Sequence, residues 1–111
     1  MELSILNIFD RLDRQHERVV IQVSEDCNCW PYILIRNNGV RREESKVFIF
    51  PNMEVEKGDI ITIYTKAGYP QRRKNTNERT EHILYWGEKE SIWNMKNSNA
   101  LLVKIEDYQT L

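Results

Sequence analysis

Alanine stands only at Ala67 and Ala100, and the chain of 111 residues holds just 4 glycines and 3 prolines. A sequence so poor in the best helix former is not expected to be mainly helical. One so poor in glycine and proline is neither collagenous nor a low-complexity linker. The two cysteines, Cys27 and Cys29, are too few for a disulfide scaffold and agree with a reducing compartment. No apolar run exceeds a few residues, so no membrane span is expected. An excess of either charge is also missing. The 16 basic and 17 acidic residues leave a net charge of -1, which supplies no global attraction for nucleic acid or an anionic membrane. Met1 to Glu17 carries Glu2, Asp10, Arg11, Asp13 and Arg14 and no continuous apolar stretch, so no signal peptide is read there. An intracellular location, nuclear or cytoplasmic, is the expectation.

Isoleucine and valine, in contrast, outnumber leucine more than two to one. Branching at Cβ stiffens χ1 and packs well on a pleated surface, which makes this a β composition. Eight short apolar segments are read as strands: Ile5 to Phe9, Val19 to Val23, Tyr32 to Ile35, Val47 to Phe50, Ile60 to Tyr64, Ile83 to Trp86, Ile92 to Met95 and Leu101 to Ile105. In the second, Val19, Ile21 and Val23 alternate with Val20, Gln22 and Ser24, a period of two with one buried face. In the last, Leu101, Val103 and Ile105 oppose Leu102, Lys104 and Glu106, and the two apolar faces are expected to meet. Turns are read at Asn37-Asn38-Gly39, Glu56-Lys57-Gly58-Asp59 and Asn97-Ser98-Asn99, and Pro51 ends the strand before it. Residues 6–16, with Leu6, Phe9 and Leu12, leave a turn or two of helix open.

The predicted fold is a single all-β domain over residues 1–111, an antiparallel β-sandwich of about eight strands. Trp86, Trp93, Tyr64, Phe48 and Phe50 are expected to fill the space between its sheets. The stretch from Gly68 to Glu81 lacks apolar order and is read as a long, mobile surface loop.

From Tyr32 onward the order of aromatics, glycines and proline resembles the lamin tail domain, an immunoglobulin-like module. The resemblance lies in Tyr32-Ile33-Leu34-Ile35-Arg36-Asn37-Asn38-Gly39, in Val47-Phe48-Ile49-Phe50-Pro51, and in Val55 to Tyr64 with its Gly58. It continues through Leu84-Tyr85-Trp86, Ile92-Trp93-Asn94 and Asn99-Ala100-Leu101-Leu102, covering about residues 17–105. Tyr32 stands where the family usually has Trp, and no heptad run occupies Met1 to Glu17, so filament formation by this chain is not expected. The resemblance implies an immunoglobulin-like sandwich that docks to protein partners in a nuclear or cytoskeletal assembly, with no cofactor.

Cys27 and Cys29 with His16 and His82 have the residue types of a zinc site. His16 and Cys27 flank the Val19 to Val23 strand, however, which separates them by well over ~10 Å, so structural thiols are preferred and no metal is expected. Neither histidine has a serine, cysteine or carboxylate at a recognisable catalytic spacing, and an enzyme is not expected. The local basic excesses are Arg41-Arg42 and Arg72-Arg73-Lys74 with Arg79. Together with Tyr69, an aromatic that strand alternation does not explain, they form the candidate partner-binding set. Nucleic-acid contact through the same basic loops is the alternative, and an enzyme with an unrecognised site is a more remote one. A free edge strand open to self-association is also expected.

Overall fold

The computed structural model describes residues 1–37, 45–94 and 98–111. Ten strands and no helix occur among the described residues: β1 (Leu3–Phe9), β2 (Arg18–Val23), β3 (Cys27–Asn28), β4 (Tyr32–Asn37), β5 (Lys46–Ile49), β6 (Glu54–Val55), β7 (Ile60–Tyr64), β8 (Gln71–Lys74), β9 (Thr80–Tyr85) and β10 (Asn99–Lys104). They form a five-stranded sheet ordered β1-β2-β7-β9-β8, a three-stranded sheet ordered β10-β4-β5, and the small β3-β6 pair. The all-β sandwich reading is thus borne out.

Two particulars differ from the expected array. The strands among the described residues number ten, and β7 pairs with β9 in parallel. A parallel neighbour needs a crossover longer than a hairpin turn. Residues 65–79 supply it by carrying β8 to the far side of β9 and back. The segment Gly68 to Glu81, expected as a loose loop, is therefore largely a hairpin. Asn75 closes it, donating through N to the Arg79 carbonyl at 2.9 Å and accepting on Oδ1 from the amides of Asn77 and Arg79 at 2.9 and 3.1 Å.

Val19, Ile21 and Val23 of β2 are buried as the period of two demands, and they pack with Leu3, Ile61, Ile63 and Leu84 of the same sheet. Tyr32, Leu34, Phe50 and Trp93 close the core from the other side, with Phe48 and Trp86 packed against it. Tyr64 is a correction. It lies on the outer face of the five-stranded sheet, stacked on Tyr85 at 5.7 Å, because inward positions of β7 belong to Ile61 and Ile63. The Ile92 to Met95 strand is not found over its described part. Ile92 and Trp93 are buried in a bend, held there by a side chain rather than by a ladder. That side chain is Glu17, wholly buried, whose carboxylate accepts from Thr65 Oγ1 at 2.6 Å, Ser91 Oγ at 2.5 Å, Ile92 N at 2.9 Å and Trp93 N at 3.3 Å.

The open helical reading of residues 6–16 resolves to strand and turn. Leu6 and Phe9 belong to β1, where the register shifts between Ile5 and Asn7, and Leu12 takes φ 77°, outside any right-handed helix. The Glu56 to Asp59 turn forms as read, with Gly58 at φ 93° and Asp59 N donating to the Glu56 carbonyl at 2.9 Å. Asn38, Gly39 and Asn97 of the other two turns lie outside the described residues.

Candidate interaction surfaces

β8 is an edge strand and all four of its residues are exposed. Its pairing with β9 sets Gln71 opposite Ile83, Arg72 opposite His82, Arg73 opposite Glu81 and Lys74 opposite Thr80. Cross-strand partners share a face. Gln71 and Arg73 therefore lie on the outer face, and Arg72 and Lys74 on the inner face with His82.

The outward cation is neutralised. Arg73 Nε donates to Glu81 Oε1 at 2.8 Å, and Thr62 Oγ1 donates to Glu81 Oε2 at 2.8 Å. Burial alone would raise the Glu81 carboxyl, but the hydrogen bonds from Arg73 and Thr62 prevail and hold it below the usual range. Arg72 and Lys74 make no hydrogen bond or ion pair with any described residue.

Below Arg72 a cleft of about 430 Å³ opens between β8–β9 and the β6 segment, lined by Met53, Glu54, Pro70, Gln71, His82 and Leu84 as well. His82 at its floor is buried, with Nε2 2.9 Å from Asp59 Oδ2, and that same oxygen accepts from Glu56 N at 2.9 Å. Asp59 thus ties the cleft floor to the Gly58 turn.

Arg79 lies across that turn too. A Cβ placed on Gly58 would collide with its guanidinium. Arg79 is exposed yet applied to the turn, apart from the Arg72 and Lys74 pair. Tyr69 is 89% exposed, so it does not fold back onto the sandwich rim. Trp30, half exposed, packs on Tyr108 at 5.4 Å. Arg41 and Arg42 lie outside the described residues. Of the candidate set, then, the structure joins Arg72, Arg73 and Lys74 on one strand.

The cysteines are inward-looking. Burial pushes the Cys29 thiol up to about 12 and raises Cys27 as well. His16 pairs with Asp13 at 2.8 Å. No group of three or more metal-ligating side chains converges among the described residues.

A second surface was not anticipated. On the outer face of the three-stranded sheet, Val103 faces Ile33, which faces Ile49, and Leu101 faces Ile35, which faces Val47. Ile49 is 74% exposed, Val47 51%, Leu101 46% and Val103 36%, while Ile33 and Ile35 are half-buried between them. The expected inward face of β10 is therefore reversed. Ala100 and Leu102 point inward, and so does Lys104, whose Nζ reaches Glu2 Oε2 at 3.0 Å. The inner side ends at a salt bridge, which lets a lysine occupy a position where an apolar residue was expected. The signal was present in the sequence: Ile33-Leu34-Ile35, Val47-Phe48-Ile49 and Leu101-Leu102-Val103 are apolar without a break, whereas an antiparallel strand with one wet face should alternate.

The sequence matches no protein-family model and no curated protein.

Proposed function

We propose that this chain is a non-catalytic protein-interaction module, similar in kind to the lamin tail domain, that docks to protein partners in a nuclear or cytoplasmic assembly. The observation that carries the reading is the exposed apolar face of Ile33, Ile35, Val47, Ile49, Leu101 and Val103. Such a contiguous exposed apolar face suits a protein-docking surface, because its burial against another apolar surface is favourable whereas burial against phosphate is not. The β8 edge with Arg72 and Lys74 adds a directional, charged contact. Docking thus uses strand surfaces on a rigid scaffold more than the loops the sequence pointed to.

The nucleic-acid alternative uses the same cations and is separated by salt. Phosphate binding weakens steeply between ~50 and 200 mM salt, whereas an apolar interface does not. The test compares wild type, Val47→Lys/Ile49→Lys and Arg72→Glu/Arg73→Glu/Lys74→Glu in cross-linking from native extract and in binding to a labelled single-stranded oligonucleotide. Capture that persists at high salt and disappears in the Val47→Lys/Ile49→Lys protein is the expected result. Tight, salt-sensitive oligonucleotide binding, with capture indifferent to the apolar face, overturns the proposal.

A further inference from the structure

The hairpin register fixes which way the backbone of β8 points. In an antiparallel pair, residues alternate between those that exchange both hydrogen bonds with the neighbour and those that direct both groups away from it. Asn75 N bonds to the Arg79 carbonyl at 2.9 Å, so in the same register Arg73 with Glu81 and Gln71 with Ile83 are the bonded pairs. The other side of β9 agrees: Trp86 N bonds to the Tyr64 carbonyl of β7 at 2.7 Å, which assigns Thr80, His82 and Leu84 to β7. The N–H and C=O groups of Arg72 and Lys74 therefore point away from the sheet, where no described strand meets them.

These two residues also carry the unneutralised cations, and both side chains lie on the inner face. Residues two apart on a strand are separated by about 6.8 Å. An added strand paired with Arg72 and Lys74 would place two of its own alternate side chains directly across from them, on that face.

We propose that the free edge of β8 takes up an antiparallel strand from a partner protein bearing acidic residues at alternate positions, its carboxylates opposite Arg72 and Lys74. The proposal rests on the interaction-module reading and names the partner's chemistry. A second copy of β8 is excluded as occupant, since antiparallel self-pairing sets cation against cation. Pro70, which has no N–H, bounds the usable edge on one side, and the Asn75 turn bounds it on the other. Two neighbouring positions, each offering a main-chain donor and acceptor plus a cation, define the docking register.

The probe is a fluorescein-labelled peptide, Ser-Val-Glu-Thr-Glu-Val-Ser, with Gln-for-Glu and Lys-for-Glu controls, read by anisotropy and by amide shifts of the labelled domain. The Glu peptide should bind about tenfold more tightly than the Gln peptide, with shifts centred on Arg72 and Lys74. Arg72→Glu/Lys74→Glu should transfer the preference to the Lys peptide. Lys74→Gln removes the charge and keeps the N–H, whereas Lys74→Pro removes both without touching the bonds to β9. The proline variant should therefore bind about tenfold more weakly than the glutamine variant while retaining the fold. Equal binding by these two variants overturns strand addition and leaves the interaction-module reading standing. Indifference to Arg72→Glu/Lys74→Glu, or displacement of the peptide by an oligonucleotide of equal charge, overturns the proposal as well. The module reading fails separately, if cross-linking survives both the apolar-face and the β8 variants.

Discussion

Replacing Glu17 with Ala should damage this fold as much as truncating one of its buried aromatic residues. Its carboxylate lies in the interior and collects the hydroxyls of Thr65 and Ser91 and the amides of Ile92 and Trp93. The hydroxyls can turn toward other acceptors. The two amides cannot, because the bend that holds Ile92 and Trp93 is not part of a ladder. Each buried donor left without a partner costs about 1–3 kcal/mol, so the two amides together with the vacated space come to about 3–5 kcal/mol. A domain of this size has about 5–15 kcal/mol in total. At about 4–5 °C per kcal/mol for a domain of this length, Glu17→Ala should melt some 12–25 °C below wild type. Glu17→Gln keeps one acceptor oxygen and should lose about half as much. Thermal melts followed by near-UV circular dichroism, with Trp93 as the local reporter, and urea titrations would measure both. A Glu17→Ala protein within about 1 kcal/mol of wild type refutes the reasoning, and Gln faring no better than Ala would show that space, rather than acceptors, matters.

Acid stability should depend on Glu2, whose carboxyl is held down to about 2 by the Tyr32 hydroxyl, its own backbone amide and Lys104. A depressed carboxyl stabilises the fold above its ordinary value of 4.5, and that contribution is lost as pH falls toward 2. Urea midpoints should fall over that window in wild type and less so in Glu2→Gln. The partner phenol behaves oppositely: burial and Glu2 push Tyr32 up to about 12, so its contribution is complete below 10 and is lost as pH rises through 12, measurable by absorbance titration against Tyr32→Phe. Cys29, buried and raised to about 12, should resist Ellman's reagent at pH 8 until denaturant is added, while Cys27 reacts slowly without it. Gly58→Ala should cost about 1–2 kcal/mol from its φ of 93° and from displacing Arg79. Arg79→Ala should recover only the second part in a double-mutant cycle of urea denaturation curves.

Where one face of a strand is apolar and the other polar, the sequence is readable, as Val19 to Val23 illustrates. β8 escapes such reading because Gln71, Arg72, Arg73 and Lys74 bury nothing, and a strand held only by its ladder leaves no apolar period. β7 escapes it for the opposite reason: Ile61, Thr62 and Ile63 are all buried, so alternation could not tell which face Tyr64 shares. The Arg72-Arg73-Lys74 run was visible as charge, but only the register with β9 shows that Glu81 neutralises the middle residue and leaves the flanking two. Glu17 and the His82–Asp59 pair were invisible as buried groups. Their partners lie 48 and 23 residues away or more, and a glutamate in a charged stretch looks solvated until the chain folds over it.

The unequal widths of the two layers account for both candidate surfaces. Five strands face three, and the wider sheet supplies the core from β1, β2, β7 and Leu84 of β9. Toward β8 the wider sheet overhangs. Its inner face at that edge carries Arg72 and Lys74 beside the buried His82 and Leu84 of β9, and the cleft opens there toward the β6 segment. A polar inner face is what an overhang requires if it is to stay wet, and neutralised cations would serve that end as well as bare ones. Wetting alone therefore does not account for Arg72 and Lys74 lacking carboxylates while Arg73 has one. The narrower sheet poses the complementary problem, for its outer face is apolar although nothing among the described residues requires it to be. Each layer thus carries one surface that folding leaves unexplained, a charged edge on one and an apolar face on the other, and docking to a protein partner supplies a reason for both.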